Sequence, residues 1–419
     1  MTLHKSMKPL KQLLRSTNNA ISTTLSQQIS NHLAKKAVGA AITSRGISSS
    51  ALTINKNPNP RSKTPKEELT FGTTFSDHML TIEWDIRNKW SNPKIIPYGN
   101  LQISPAASVF HYGLECFEGM KAYKTPTSSS SSSSSSLRLF RPDCNMERLQ
   151  HSMERLNMPC HDFDSNELLD CIKALVRLDS DWIPEGEGYS LYLRPTVIAT
   201  HPFLGLAAPE QILLYVITSP VGPYYRKGFS PVRLTADTPY IRAWPGGTGD
   251  CKVGGNYGPT MKAAKEASLA GYDQVLWLFD GDEEGTITEV GAMNVFFVLR
   301  DKETGRKELV TPPLTRGDIL PGVTRRSILE LARSWNEDIQ VVERFPTMKE
   351  IQVASAEGRL VEAFGAGTAA VVSPISCIRY QGVDIDIPAT GEITQKVWDQ
   401  ITGIQYGRIN GPEGWSVEI

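Results

Sequence analysis

No apolar run in this 419-residue chain approaches the ~20 residues that a helix needs to cross a bilayer. The longest, 212–217, has the length of a buried strand, so no membrane partner is expected. Cysteine is scarce and unclustered. The six residues, Cys116, Cys144, Cys160, Cys171, Cys251 and Cys377, include no Cys-x-x-Cys pair and no His/Cys group at metal-binding spacing. Reduced thiols and no structural zinc are therefore expected. Acidic residues are missing from the start of the chain. The first is Glu67, whereas residues 1–50 carry seven Lys/Arg. Such a basic leader, rich in Ser and Thr, reads as an organellar transit peptide to the mitochondrial matrix. Leu10, Leu13 and Leu14 give it an amphipathic start, and Arg45-Gly46-Ile47-Ser48 is a cleavage zone. A basic disordered tail or an arm for nucleic acid is the alternative. After residue 50, 37 Lys/Arg face 45 Asp/Glu, a net charge of −8, which argues against nucleic acid as the partner.

The length suggests two domains. Residues 51–66, rich in Pro, Asn and Lys, read as a linker, and 67–222 as a smaller N-terminal α/β domain. Nine serines, 128–136, interrupt it between expected strands at 119–124 and 137–140. A polar run of this kind cannot bury enough surface to order itself, so it reads as a long hairpin loop. Residues 223–230 link to a larger C-terminal domain, 231–419. Further strands are expected at 79–84, 189–200, 211–219, 232–236, 274–279, 295–300, 360–364 and 371–380. Helices are expected at 145–156, 258–269, 324–335 and 392–406, with a capping box at Asp164-x-x-Glu167 opening another. The fold class is mixed α/β in two lobes.

The most unusual stretch is 246–258, where six glycines surround Lys252 and Tyr257. A plain linker would lack the interleaved Cys, Lys, Asn and Tyr. A phosphate loop would need Ser or Thr after the lysine, and Val253 stands there. Lys252 is then either a solvated loop lysine or a nucleophile able to form a Schiff base.

A Schiff-base enzyme using a pyridoxal cofactor needs a charge partner for the pyridine nitrogen, a phosphate cup and a substrate pocket. Candidates exist for each. Glu289, in Thr288-Glu289-Val290-Gly291-Ala292-Met293-Asn294, sits before a buried strand; it is otherwise an exposed turn acid. Gly322-Val323-Thr324 opens a helix whose free N–H groups suit phosphate, and Gly365-Ala366-Gly367-Thr368-Ala369 is a second such turn. Both could be ordinary caps. Arg141 ends the strand 137–140 with a guanidinium suited to phosphate. Tyr192 and Arg194 share one face of a strand, which lines either a cleft or the surface.

At this point the chain resembles the eukaryotic branched-chain amino acid aminotransferases. These are pyridoxal-phosphate enzymes with the two-domain fold of the D-amino-acid-transaminase type. The resemblance runs from about Phe71 to the C-terminus. It rests on Phe71-Gly72-x-x-Phe75-x-Asp77-His78-Met79, His111-Tyr112, Phe117-Glu118-Gly119-Met120-Lys121-Ala122, Phe140-Arg141-Pro142, Tyr192-Leu193-Arg194-Pro195, Gly254-Gly255-Asn256-Tyr257-Gly258 and Leu320-Pro321-Gly322-Val323, all in order. It implies that Lys252 carries pyridoxal 5'-phosphate and is the catalytic base. It places Glu289 at the pyridine nitrogen, Tyr257 at the ring oxygen and Leu320 against the ring. Arg141, Val323, Thr324 and Thr368 would hold the phosphate. Phe71, Tyr112, Tyr192 and, from the partner of a homodimer, Leu206 would line the pocket. Thr368, Ala369 and Tyr112 would receive the substrate carboxylate, and Arg194 the side-chain carboxylate of glutamate. Two departures stand out. Ala292 replaces a threonine found in many relatives, and Ala370 and Ser373 occupy places where some animal members carry cysteines.

The implied reaction is ping-pong transamination between branched-chain L-amino acids and 2-oxoglutarate. A D-amino-acid transaminase or an aminodeoxychorismate lyase of the same fold is the nearest rival, and a non-catalytic binding protein the more distant one.

Overall fold

The structure, a computed structural model, describes residues 46–125, 136–224, 229–279, 284–335, 339–388 and 391–419. The expected transit peptide up to residue 45 and nearly all of the serine run lie outside these residues. Its strands are Thr53–Ile54 (β1), His78–Asp85 (β2), Lys89–Trp90 (β3), Lys94–Pro97 (β4), Glu115–Phe117 (β5), Met120–Lys124 (β6), Leu137–Phe140 (β7), Ser190–Ala199 (β8) and Gln211–Val221 (β9). Then come Val232–Thr235 (β10), Gln274–Phe279 (β11), Thr286–Val290 (β12), Met293–Arg300 (β13), Lys307–Thr311 (β14), Ile339–Glu343 (β15), Leu360–Gly367 (β16), Val371–Tyr380 (β17), Val383–Asp386 (β18) and Ser416–Glu418 (β19).

Two sheets form. The first runs β1-β4-β2-β9-β8-β6-β7-β19, with β3 on β2 and β5 on β8. Its longest pairing joins β8 to β9, where alternate residues Ile212, Leu214 and Val216 point into the core. Helices Pro142–Arg155 and Ser165–Leu178 supply Met146, Leu149, Met153, Leu168, Ile172 and Leu175 to the same core. The strands β6 and β7 pair as the expected hairpin, and Thr125 N–H donates to Ser136 O at 2.9 Å across the base of the serine loop.

The second sheet runs β12-β11-β10-β17-β16-β13-β14-β15, and a further β12–β13 pairing closes six of these strands into a ring. Strand β13 is apolar on both faces because it separates two cores. Phe296 and Val298 face helices Val323–Ser334 and Glu392–Gln405, whereas Val295, Phe297 and Leu299 face helix Met348–Ala356. Each buried phenylalanine or leucine contributes roughly 1.5–3 kcal/mol.

Three expectations are corrected. The stretch 51–66 is not a free linker, because β1 pairs in parallel with β4 and Ile47 is already in the first core. The chain after 231 does not stay in the second sheet, because β19 returns to pair with β7. The capping box is half formed. Asp164 accepts Asn166 N–H at 2.8 Å, but the Glu167 carboxylate is taken by Ser49 N–H instead.

Candidate active site

The glycine loop is folded by its own polar side chains. Asn256 Nδ2 donates to Thr248 O at 2.6 Å and Cys251 O at 2.8 Å, and Thr248 Oγ1 donates to Asn256 Oδ1 at 2.7 Å. Gly249 is required by close approach, since a Cβ there would fall 2.6 Å from Asp318 backbone. The helix Pro142–Arg155 and strand β5 hold the two backbone groups of Lys252. Its N–H donates to Ser152 Oγ at 2.9 Å, and its carbonyl accepts Phe117 N–H at 3.0 Å.

The Lys252 side chain projects into a cavity of ≈ 280 Å³ between the two sheets. Its Nζ donates to the Tyr257 hydroxyl at 3.1 Å and lies 4.9 Å over the Phe117 ring. Burial, aided by the Arg148 guanidinium, lowers its amine to about 8. The neighbouring Tyr257 hydroxyl is pushed up to about 12, first by burial and then by Glu289.

Glu289 lines the same cavity from β12. Its Oε1 accepts Asn294 Nδ2 at 3.0 Å and Leu320 N–H at 3.1 Å, and its Oε2 lies 2.6 Å from Arg242 Nε. Burial raises its carboxyl, against the opposing pull of Arg242. Two N–H donors and a guanidinium against one carboxyl suit its ionised form.

The N-terminus of helix Val323–Ser334 opens at the cavity, with Val323 and Thr324 in the wall. Thr368 and Ala369 of the turn after β16 stand beside it, and Leu320, Phe71, Tyr192 and Arg194 complete the lining. Tyr192 reaches in over Gly119, where a Cβ would meet its hydroxyl at 2.0 Å. Arg194 Nη2 donates to the Tyr192 hydroxyl at 3.2 Å, while its Nε is buried without a partner among the described residues. Ala292 is also in the wall.

Two expected residues are not there. Arg141 adopts a left-handed backbone, φ 45°, that turns it away from the cavity. Its guanidinium forks onto Glu330 at 3.0 and 3.1 Å, donates to Ser327 Oγ at 3.1 Å and stacks 4.3 Å from the Trp415 ring. In its place Arg148, seven residues on, lines the cavity, and sequence reasoning missed it. It donates twice to Glu118, at 2.7 and 2.9 Å, and to Pro321 O at 3.0 Å. Glu118 is fully buried, and Arg148 outweighs that burial to hold its carboxyl below the usual range. The signal was available, since Asn145 and Arg148 lie one turn apart on the expected helix and both reach Glu118.

Tyr112 is the second correction. It is 41% exposed and gives its hydroxyl proton to the Leu204 carbonyl, outside the cavity. Leu206, 77% exposed, sits in the same loop. Arg242 and its pairing with Glu289, 47 residues later in sequence, had no sequence signal.

A neighbouring cavity of ≈ 310 Å³ backs onto the same turn, with Lys121 as its one cation among the described residues. There Lys121 Nζ donates to Ala369 O at 2.8 Å. An amine, a carboxylate, two guanidinium groups and a helix N-terminus converge on the Lys252 cavity. That set can carry a carbonyl on the amine, hold a phosphate and keep a ring nitrogen protonated.

Residues 115–378 match the family model described as amino-transferase class IV. The chain is 49% identical over 367 residues to a branched-chain-amino-acid aminotransferase of Monosiga brevicollis, covering 87% of this chain and 90% of that one. It is 48% identical over 391 residues to the mitochondrial branched-chain-amino-acid aminotransferase of Saccharomyces cerevisiae, covering 92% and 96%. The fold aligns with TM-score 0.62 and 26% identity to the branched-chain aminotransferase of the thermophilic archaeon Thermoproteus uzoniensis, solved with norvaline, over 80% of this chain and 98% of that one.

Proposed function

The chain belongs to the class IV aminotransferases, and from that membership we propose that it moves the amino group of L-leucine, L-isoleucine or L-valine to 2-oxoglutarate. The products are branched-chain 2-oxo acids and L-glutamate, and the reaction is reversible. Its cofactor is pyridoxal 5'-phosphate. The observation that carries this reading is the placement of the Lys252 amine and the Glu289 carboxylate in one buried cavity with a helix N-terminus.

The residues present fit the cofactor. Arg148, the N–H groups at Val323 and Thr324, and the Thr368 hydroxyl form a cationic and donor-rich end suited to its phosphate. Glu289, paired with Arg242, suits its ring nitrogen, and Tyr257 its ring oxygen. Leu320, in the cavity wall, would lie against the ring. When bound, the cofactor supplies an aldehyde for amine exchange and a ring that accepts the electron pair of the substrate α-carbon. Lys252 Nζ takes the proton from the α-carbon and later returns it, and a lowered amine is suited to both roles. Ala369 and Thr368 present the turn that receives the substrate carboxylate. Phe71 and Tyr192 give an apolar wall for a branched side chain. The unpartnered Nε of Arg194 is the natural donor to the second carboxylate of glutamate.

One chain leaves that wall incomplete. Phe110, Tyr112, Phe203, Leu204 and Leu206 form an exposed apolar rim around the loop after β8. Such a patch supports a homodimer in which the partner brings its copies of Tyr112 and Leu206 over the cavity. The acid-free leader supports delivery to the mitochondrial matrix. A fusion of residues 1–50 to a fluorescent protein that stays in the cytosol contradicts that address.

The test of function is amino transfer from L-leucine to 2-oxoglutarate, with the visible spectrum followed before and after leucine. D-alanine as donor distinguishes the D-amino-acid rival. Absence of transfer from all three branched L-amino acids overturns the reading.

A further inference from the structure

The geometry points to a zinc(II) site formed by His151, Asp250 and Cys251, which the transamination reading does not use. His151 Nε2 lies 2.9 Å from Asp250 Oδ2, and Cys251 Sγ lies 3.5 Å from Asp250 Oδ1. All three donor atoms fall within 4.8 Å of one another. Zinc bonds of about 2.0–2.3 Å place tetrahedral ligand atoms about 3.3–3.7 Å apart, so the three need shift by only about an ångström. One imidazole, one carboxylate and one thiolate make a borderline-soft set that suits zinc and leaves a fourth position to water.

The donors come from two elements that are already clamped together. His151 sits on helix Pro142–Arg155, and Arg155 of that helix donates to Gly246 O and Gly247 O, each at 3.1 Å. Asp250 N–H donates to Gly317 O at 3.1 Å, and the Cys251 carbonyl is held by Asn256 at 2.8 Å. The site is thus built before any ion arrives. The side chains of His151, 47% exposed, and Asp250, 32% exposed, give an ion its way in, and Cys251 forms the buried wall. On binding, a zinc–sulfur bond forms and the thiol proton leaves to solvent, with no change of oxidation state. The sequence showed no metal spacing because His151 and Asp250 are 99 positions apart.

The placement implies control. Asp250 and Cys251 directly precede Lys252. His151 directly precedes Ser152, which holds Lys252 N–H, and is three residues from Arg148. An ion here ties the helix bearing the cavity arginine to the loop bearing the amine, and adds positive charge one residue from that amine. Zinc should therefore lower turnover reversibly. Only this second half rests on the transamination reading.

The test uses holoenzyme stripped by chelator and dialysed against micromolar zinc. Wild type should retain one zinc per chain, and His151→Ala should bind at least tenfold more weakly. Cobalt(II) should give a thiolate-to-metal charge-transfer band in wild type, absent from Cys251→Ser. Zinc should inhibit wild type, with recovery on chelation, and spare the turnover of His151→Ala. No retained zinc in wild type, or His151→Ala binding as wild type does, overturns the site. Retained zinc with unchanged turnover keeps the site and overturns the control. Because His151 is on the surface, its replacement tests the site even if Cys251→Ser fails to fold.

Discussion

The floor of the cavity and its outer rim are built on opposite principles. On the floor, Lys252, Glu289, Arg148 and Glu118 each have named partners, and Glu118 and Glu289 are buried. On the rim around the loop after β8, five large apolar side chains face solvent, and the Tyr112 hydroxyl is tied to the Leu204 carbonyl of that loop. The contrast teaches that one chain suffices to bring the candidate reacting groups together, whereas under the proposed homodimer recognition of the substrate side chain would fall to a second copy. Chemistry and specificity are therefore separable by substitution.

The largest effect should come from the floor. Lys252→Ala should still bind pyridoxal phosphate through Arg148, Thr324 and Thr368, while turnover falls about 10⁴-fold. Borohydride should fix the cofactor to wild type and not to the variant, and a peptide map should place the label within 246–257. A label on Lys121 or Lys262 breaks the comparison at its root.

Next comes the pair of arginines. Arg148→Met strands the Glu118 carboxylate in the core, and breaking a buried pair in this way costs about 3–5 kcal/mol. Its urea midpoint should fall accordingly, and cofactor affinity should drop with it. Arg141→Met leaves Glu330 half in water, and should cost about 1–2 kcal/mol with cofactor affinity retained. If Arg141→Met is the variant that loses the cofactor, the floor has been assigned to the wrong cation.

The rim variant, Leu206→Asp, should give a monomer by light scattering. Turnover of leucine should fall roughly tenfold while the cofactor spectrum persists. A fully active monomer would show that the rim has no part in the site. The smallest effect should follow replacement of 128–136 by a short turn. Loop length costs only about 0.6 kcal/mol per doubling, so turnover should be almost unchanged.

The residues that were legible in sequence share one property, which is that their signal is local. Lys252 is marked by its glycines, β9 by alternation, and helix Glu392–Gln405 by its apolar face. What escaped depends on contacts between distant segments. Arg141 and Arg148 have the same chemistry and lie seven residues apart, and the first, left-handed at the helix N-cap, is held by Glu330, Ser327 and Trp415 instead. Arg242 meets Glu289 only because the segment after β10 brings it against β12, 47 residues later in sequence. The return of β19, and the joining of β1 to β4, are pairings too short for any periodicity to announce. Tyr112 is the intermediate case. Its motif is legible, but a motif carries no information about which copy of the chain it serves.

Lys252 is anchored through its carbonyl to β5 of the first sheet and through its N–H to the helix Pro142–Arg155 packed on that sheet, and Val253 adds a bridge to Cys116. Glu289 lies in the second sheet, Thr368 in its turn after β16, and Thr324 on the helix Val323–Ser334 packed against it. The distance between the base and the groups that would grip the cofactor is therefore a coordinate of the whole molecule rather than of the pocket. Any motion that slides one sheet over the other changes that distance, and any contact that stiffens the seam sets how often the two halves are in register. Rate in such a protein can be tuned from residues that never touch a substrate.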